Sequence, residues 1–276
     1  MVKGRFLGFF LSLPSTLVVA VFALVPVGAS LLLSFASWSG LSRPEWVGWE
    51  NYQALLQDAR FHRYLRQTLA YALFAVPLGV LVPLALALAI HNLKGLWGQV
   101  FRLVFYLPLV TGVVATALLA QALIGLFPFN PLNRPETVLP TLAVFSTWQG
   151  MGSAVLLYLA GLSRLPRELY EAAAVDGAGP WASFRHITLP GLLPVVSLVA
   201  VLSTIASVQL FEAVLFMTRG GPGDASTTLA LYIYTTAFRY FRMGYATALA
   251  WVLALGLFLL VWLQRRLERR VVDAEA

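Results

Sequence analysis

Long apolar runs separated by short polar segments account for most of the chain. Six of these runs are each near the ~20 residues that a helix needs to cross a bilayer. They lie at about residues 8–36, 66–91, 99–125, 138–163, 190–217 and 242–264. The pattern predicts an all-α integral membrane protein with six transmembrane helices in a single domain, residues 1–276.

The first apolar run could be either a cleaved signal peptide or a retained helix. Lys3 and Arg5 precede it, as basic residues precede both kinds of segment. A signal peptide has an apolar core of about 7–15 residues, and this run is much longer, so we expect a retained first helix. Pro14 and Pro26 lie inside it and predict kinks.

The polar segment at 164–189 is longer than a simple connection between two membrane helices requires. Within it, Pro166 can open a helix, and Glu168 and Glu171 then lie near the positive helix end. The helix is expected to stop at Gly177, where a left-handed cap is sterically free. One face of this helix carries small and apolar side chains. Such a short surface helix is suited to docking into a groove on another protein.

Composition supports the membrane class and excludes several others. The chain is 59% hydrophobic and 11% charged, whereas about 25% of residues are charged in soluble domains. It has no cysteine, so neither a disulfide framework nor a thiol nucleophile is available. The net charge of +7 comes from basic residues at the ends of the runs and in the tail. That distribution fits an anionic membrane surface and predicts no nucleic-acid partner.

Catalytic signatures are missing from the sequence. No phosphate-binding loop of the form G-x-x-x-x-G-K-[ST] occurs, and the three histidines, His62, His91 and His186, are scattered without metal-ligand spacing. No nucleophile–base pair can be picked out. We therefore predict a protein that is not an enzyme, with no catalytic residue, no metal and no cofactor of its own.

Polar residues within the apolar runs are the candidates for a transport path, because lipid-facing positions reject them. Two groups stand out, one in the fourth run and one in the fifth. They are Ser146, Trp148, Gln149 and Gly150, and Ser203, Ser207, Gln209 and Glu212. Hydroxyl, amide and aromatic groups together suit a sugar.

Two alternatives remain for these polar residues. A serine in a membrane helix often bonds only its own backbone or a neighbouring helix. Glu212 lies near the outer end of its run, where it either contacts substrate or pairs with Arg219. No arginine lies deep within a run, which favours a neutral substrate over a phosphorylated one.

The segment that contains the predicted surface helix is similar to a known family signature. Its residues are Glu171-Ala172-Ala173, Asp176-Gly177-Ala178, Phe184, Ile187, Leu189-Pro190 and Pro194. They resemble the EAA signature of permease subunits of bacterial ATP-binding-cassette importers. The resemblance implies the type I importer permease fold, in which this segment is a cytoplasmic coupling helix. The residues that contact an ATPase subunit would then be Glu171, Ala172, Ala173, Asp176, Gly177 and Ala178.

Other segments resemble the sugar-permease branch of that family, of the maltose and glycerol-phosphate type. The matching residues before the second run are Asn51, Tyr52, Asp58, Phe61, Leu65 and Thr68, and Gly220-Gly221-Pro222 match after the fifth. Gln67 stands where asparagine is usual. The resemblance implies a subunit that translocates a sugar or related carbohydrate, with glycerol phosphate not excluded. It also implies that the helices on either side of the coupling helix line the substrate cavity.

The resemblance further implies a set of partners and a location. The partners are a second homologous permease subunit, usually a different chain, two ATPase subunits that bind ATP and Mg, and an extracytoplasmic solute-binding protein. The location is the cytoplasmic membrane. Both termini are expected in the cytoplasm, and basic residues are in small excess on that side.

An ion-coupled secondary transporter is the alternative function. That mechanism needs an ionisable acid near the bilayer centre, usually beside discontinuous helices. Glu212 is the acidic residue inside a run, and it lies near the edge of that run. Co-purification with an ATPase subunit distinguishes the two functions.

Overall fold

A computed structural model of the protein describes residues 13–91, 93 and 95–275, and this part of the chain is almost entirely helical. The helices are α1 (Leu13–Leu33), α2 (Glu50–Gln57), α3 (Ala59–His91), α4 (Gly95–Thr111), α5 (Val113–Gly125), α6 (Pro135–Leu162), α7 (Arg167–Val175), α8 (Pro180–Val208), α9 (Glu212–Met217), α10 (Leu229–Phe238) and α11 (Met243–Glu275). A short antiparallel ribbon pairs β1 (Ala36–Ser37) with β2 (Glu45–Trp46).

Five of these helices, α1, α3, α6, α8 and α11, are long and apolar enough to cross a membrane. A sixth crossing is formed if α4 and α5 are one broken span, since the pair passes the same test together and is bent by 102°. The predicted all-α membrane class is confirmed. Lys3, Arg5 and residues 8–12 of the first predicted span lie outside the described residues.

The predicted kink at Pro26 appears as a change of helix type. In α1 the turn Ala20–Leu24 is π-helical and directly precedes Val25 and Pro26. Proline has no backbone N–H, and its ring crowds the preceding turn. The wider π turn accommodates that ring without ending the helix.

Two predicted spans are interrupted. The third breaks at Gly112, whose backbone angles of φ 77° and ψ 145° are readily reached only by glycine. The fifth, predicted as one run over 190–217, instead begins at Pro180, ends at Val208 and resumes as the short helix α9. Between them Phe211 is non-helical, at φ −134°. At this break the carbonyl of Leu210 accepts a hydrogen bond from the hydroxyl of Thr228 at 2.7 Å. This bond takes the place of a backbone bond within the helix.

The remaining boundaries differ from the prediction at their ends. The fourth span, predicted at about 138–163, already begins at Pro135 as α6. Proline is favourable in a first helical turn, because the N–H it lacks would be unpaired there. The second span begins earlier, at Ala59, and the last helix continues through the basic tail to Glu275.

The described chain divides into two compact units, of which the first comprises residues 13–61 and 232–256. In it, the carboxylate of Asp58 accepts hydrogen bonds from the hydroxyls of Tyr232, at 2.6 Å, and Tyr245, at 2.8 Å. Partial burial raises the pKa of Asp58, but these bonds and two backbone N–H bonds outweigh it, so the pKa lies below its ordinary value. Asp58 therefore holds two later segments of the chain as an ionised acceptor.

Other family-like residues of the first unit have similar structural contacts. The side-chain amide of Asn51 donates to the carbonyl oxygens of Ser34 and Ala36, at 2.9 and 3.0 Å. The Tyr52 hydroxyl lies 2.7 Å from the hydroxyl of Ser34. Gly244, at the start of α11, lies against the carbonyl of Ala36. These contacts hold the end of α1 and the ribbon to α2 and α11.

The second unit comprises His62–Leu231 and residues 257–275. Its core lies among α3, α6 and α8, where Tyr158 and Leu192 are fully buried. A Cβ atom on Gly161 would lie 2.9 Å from side-chain atoms of Leu192 and Val195, so glycine permits close approach of α6 and α8. This packing fixes the three helices that surround the cavity described below.

The turn after α9 is held by the beginning of α3. Arg63 donates to the carbonyl of Gly223 at 2.8 Å, and the side-chain amide of Gln67 donates to the carbonyl of Asp224 at 2.9 Å. The backbone N–H of Leu229 donates to the Thr68 hydroxyl at 2.9 Å. The glutamine found in place of the usual asparagine thus has a backbone partner.

Candidate functional site

A cavity of about 450 Å³ lies among α3, α6, α8 and the start of α9, all within the second unit. Each long helix contributes one face to it, at helical spacing. On α3 the lining positions recur every fourth residue, at Tyr71, Ala75, Gly79 and Pro83. The cavity wall is mostly apolar, with a few hydroxyl, amide and carboxyl groups.

Six of the eight predicted polar positions line this one cavity. They are Ser146, Gln149, Gly150, Ser203, Ser207 and Glu212. The structure thus brings together the polar groups of the fourth and fifth spans. Whether they contact a substrate stays a prediction.

Trp148 and Gln209, the other two predicted residues, are not part of the cavity lining. Trp148 is 41% exposed and packs beside Phe145, with ring centroids 6.0 Å apart. On a helix, positions 146, 149, 150 and 153 share a face, and position 148 lies off it. Gln209 is exposed and directly follows the last residue of α8.

The two α8 serines offer hydroxyl groups to the cavity. Ser207 is 5% exposed. A Cβ atom on Gly79 would lie 3.0 Å from the Ser203 hydroxyl oxygen, so glycine leaves room for this hydroxyl beside α3. Within the described part of the chain, neither hydroxyl is hydrogen bonded to another residue. Both are therefore available to a ligand.

Gln149 has a structural role that its sequence position did not suggest. Its amide nitrogen donates to the carbonyl of Pro108 at 2.7 Å, and its amide oxygen accepts from the Thr116 hydroxyl at 2.6 Å. Pro108 is near the end of α4 and Thr116 near the start of α5. Gln149 therefore joins both halves of the broken third span to α6, and its amide nitrogen and amide oxygen each have one protein partner.

Glu212 is the first residue of α9 and is exposed at the edge of the cavity. The two residues that follow it, Ala213 and Val214, are 2% and 0% exposed, and α9 packs against α5. Among the described side chains no ion pair joins Glu212 to Arg219, the alternative considered from the sequence. The packing of α9 thus fixes the backbone position of Glu212 at the edge of the cavity.

Sequence reasoning missed the contribution of α3. Tyr71 is buried and interacts with the side chain of Ser146, and Gly79 faces Ser203. The available signal was the four-residue spacing of tyrosine, alanine, glycine and proline in α3. That spacing is equally typical of a helix packing in a core, so it did not indicate a cavity.

The second candidate site is helix α7, between the fourth and fifth membrane helices. Pro166 precedes it as predicted, and none of its residues is buried. It ends with Gly177 at φ +78°, where the N–H of Gly177 donates to Ala174 and that of Ala178 to Ala173. This pair of bonds is the Schellman arrangement. The predicted coupling residues Glu171, Ala172, Ala173, Asp176, Gly177 and Ala178 are all exposed or half-buried.

Helix α7 and the segment just before it contact α8 at two points. The Tyr170 hydroxyl lies 2.9 Å from the hydroxyl of Thr188. The Leu165 side chain occupies the space where a Cβ of Gly191 would lie. Beyond these contacts α7 presents apolar side chains to its surroundings, including Val175, which is 88% exposed. A short helix that exposes apolar side chains and is attached to the following span, α8, is suited to binding a partner protein.

The chain belongs to the family of binding-protein-dependent transport system inner membrane components, whose model matches residues 79–273. It is therefore a multi-pass permease subunit of the inner membrane. It is 36% identical over 251 residues to the probable ABC transporter permease protein YesP of Bacillus subtilis, covering 84% of this chain and 80% of the relative. It is 32% identical to the lactose transport system permease protein LacF of Rhizobium radiobacter, covering 91% and 90%.

Solved structures confirm the predicted fold. A bacterial ABC transporter involved in the import of the acidic polysaccharide alginate contains a chain that matches with a TM-score of 0.83 and 24% identity. The match covers 98% of this chain and 97% of that one. At this identity the likeness establishes the importer permease fold and no more.

Proposed function

We propose that this protein is the permease subunit through which an ATP-driven importer moves a sugar or related carbohydrate across the cytoplasmic membrane. The observation that carries the proposal is the cavity between α3, α6 and α8, with the unbonded hydroxyls of Ser203 and Ser207 in an apolar wall. Sugars present both hydroxyl groups and apolar C–H faces, so a wall of this kind complements them. The names of relatives, such as the lactose permease protein, support the same substrate class.

The proposal extends to partners. A second, similar permease subunit completes the pathway, a solute-binding protein delivers the carbohydrate, and two ATPase subunits bind ATP and Mg on the cytoplasmic side. This chain itself catalyses no reaction and holds no cofactor or metal. The name of the family and a related transporter solved with its periplasmic protein support the role of a binding protein.

Helix α7 is proposed to receive an ATPase subunit in the cytoplasm, which puts both termini on that side. Its contact residues would be Glu171, Ala172, Ala173, Asp176, Gly177 and Ala178. The hydrogen bond between Tyr170 and Thr188 and the packing of Leu165 on Gly191 supply a direct mechanical route to the cavity, because α8 carries the cavity serines. A displacement of the ATPases would rock α8 and open the cavity to one side or the other.

The docking step is tested by replacing Ala173 with tryptophan. We expect Ala173→Trp to abolish co-purification of the ATPase from detergent-solubilised membranes while the permease still inserts. The control is Ala54→Trp on α2, an exposed alanine of a different short helix, which should retain the ATPase. Equal retention by both variants would contradict the role of α7.

The transport step is tested with the assembled importer in proteoliposomes. Loss of one hydrogen bond to the ligand costs roughly 0.5–1.5 kcal/mol, so Ser207→Ala should weaken carbohydrate uptake about 3- to 10-fold. The control is Ser163→Ala, since that hydroxyl bonds the Leu159 carbonyl at the end of α6. Uptake driven by an ion gradient without ATPase subunits would instead support a secondary transporter.

A further inference from the structure

We infer that Glu212 makes the cavity selective against anionic carbohydrates, so that the transported class is neutral or amino sugars. The inference rests on the proposed function. Of the cavity-lining side chains that the structure describes, Glu212 carries the charge, and none of the others is lysine, arginine or histidine. The remaining polar groups are hydroxyls and one amide.

A carboxylate at this position distinguishes ligands by their charge. It accepts hydrogen bonds from the hydroxyl or ammonium groups of a sugar. It repels a carboxylate, sulfate or phosphate on the ligand, because two like charges at close range raise the free energy of the complex. Sites that bind anionic groups use arginine or lysine to offset such costs.

None of the other described lining groups supplies a positive charge to offset an anion. One of the two N–H groups of the Gln149 amide donates to the Pro108 carbonyl, and the other is an uncharged donor that a neutral sugar satisfies equally well. Ser146 interacts with Tyr71. The free hydroxyls of Ser203 and Ser207 can each donate one hydrogen bond, and these are equally satisfied by a neutral sugar. The balance of donors and charges therefore favours an uncharged or cationic ligand.

The backbone that carries Glu212 is also fixed at the edge of the cavity. Glu212 directly follows the break at Gln209–Phe211, so it belongs to a separate short helix at the edge of the cavity. The burial of Ala213 and Val214 fixes that helix against α5. A transporter of the same fold imports the acidic polysaccharide alginate. With a carboxylate and no cation among its described lining side chains, the cavity of this chain suits ligands of a different charge.

The absence of cysteine from the chain permits a direct test. In the assembled importer, Ser203→Cys places one thiol of this subunit in the cavity, and its rates of modification by cationic and anionic methanethiosulfonate reagents are compared by mass spectrometry of this chain. We expect the cationic reagent to be favoured, and Glu212→Gln to lower the ratio of cationic to anionic rates roughly five- to tenfold. Glu212→Asp should preserve the ratio.

The control is Ser163→Cys, outside the cavity lining, where Glu212→Gln should leave the ratio unchanged. Ser153→Cys is a second lining position for the same comparison. A ratio at the cavity thiols that does not respond to Glu212→Gln overturns the inference. Thiols at both positions that react with neither reagent also overturn it, since the cavity would then admit no solute.

A transport measurement separates this inference from the proposed function. The assembled importer in proteoliposomes is given a neutral disaccharide and the disaccharide with one uronic acid. Uptake of the uronide by the wild type as fast as the neutral sugar overturns the charge selectivity and leaves the proposed function standing. If ATP drives uptake of neither sugar, the proposed function is contradicted. The thiol experiment then still decides whether Glu212 sets the charge preference of the cavity.

Discussion

The side-chain amide of Gln149 donates a hydrogen bond to the backbone carbonyl of Pro108 at 2.7 Å. Pro108 lies in the last turn of α4, where carbonyl groups lack helical partners because the helix ends before Gly112. The same amide accepts from Thr116 in the next helix. A residue whose sequence position indicates substrate contact thus stabilises a break in the neighbouring span.

This relationship predicts the effect of Gln149→Leu. Two interhelical hydrogen bonds are lost within an apolar environment, where such bonds are worth about 0.6 kcal/mol each on average. We expect the variant to be less stable by about 1–2 kcal/mol in detergent, measured from its thermal unfolding. Gln121→Leu on α5, an exposed glutamine, is the control and should change little. If Gln149→Leu keeps the stability of the wild type but loses transport, the result would support substrate contact by Gln149 instead.

The left-handed backbone of Gly177 predicts an effect on coupling. An alanine at φ +78° costs about 1–2 kcal/mol, which corresponds to roughly five- to thirtyfold in the population of the native turn after α7. We expect Gly177→Ala to reduce transport-coupled ATP hydrolysis in the assembled importer.

Gly179 supplies the matched control for that experiment. It lies two residues further on, has an ordinary φ of −74°, and a Cβ atom there would meet no other atom within 4 Å. Gly179→Ala should therefore keep wild-type coupling. Equal activity of the two variants would show that the turn does not need its left-handed residue.

Two glycines of α11 predict opposite outcomes of the same substitution. Gly244 lies against the Ala36 carbonyl and donates its N–H to Trp38 at 3.2 Å, so an added methyl group would force the start of α11 away from the ribbon. We expect Gly244→Ala to destabilise the protein by about 1–3 kcal/mol. In Gly256→Ala, in the same helix, the added methyl group would have no other atom within 4 Å. This variant should be as stable as the wild type or more stable by up to about 1 kcal/mol. The stabilities of the two variants are compared by measuring their thermal unfolding midpoints in detergent.

The hydrogen bonds to Asp58 predict a dependence of stability on pH. Because the pKa of Asp58 is lowered in the folded protein, the folded state binds its proton less readily than the unfolded state does. The stability that this carboxylate contributes is complete at neutral pH and is lost as the pH falls below about 4, through the folded-state pKa.

Asp58→Asn removes the titrating group, so its unfolding midpoint should fall less steeply between pH 6 and pH 3 than that of the wild type. Glu50→Gln, which removes an exposed carboxylate of α2, is the comparison. Parallel pH profiles for the wild type and Asp58→Asn would exclude the Asp58 cluster as a source of acid sensitivity.

Local signals in the sequence were sufficient to locate α7. Pro166 at its start and Gly177 after its end act through their own backbone geometry, so neighbouring residues in the sequence determine both boundaries. The six apolar runs likewise predicted the membrane class, because the requirement for a long apolar helix is set by the bilayer.

The breaks at Gly112 and Phe211 could not be predicted in this way. Both lie within apolar runs, and a single glycine or phenylalanine there is compatible with a continuous helix. The carbonyl groups of Pro108 and Leu210 beside these breaks find side-chain partners only in the folded chain. The partners are Gln149 and Thr228, which lie 41 and 18 residues further along the sequence. Trp148 is different, since helical spacing from Ser146 would already have placed it off the shared face.

The bend of 102° between α4 and α5 has a consequence for how the chain enters the membrane during synthesis. At 1.5 Å per residue, the 13-residue helix α5 is about 20 Å long, shorter than the ~30 Å hydrocarbon layer. It therefore cannot integrate as an independent segment. Its interhelical partner Gln149 is translated about 2 to 7 seconds after Gly112, at about 5–20 residues per second. Stable integration of this part of the chain must await the emergence of α6, which makes the order of translation part of its assembly.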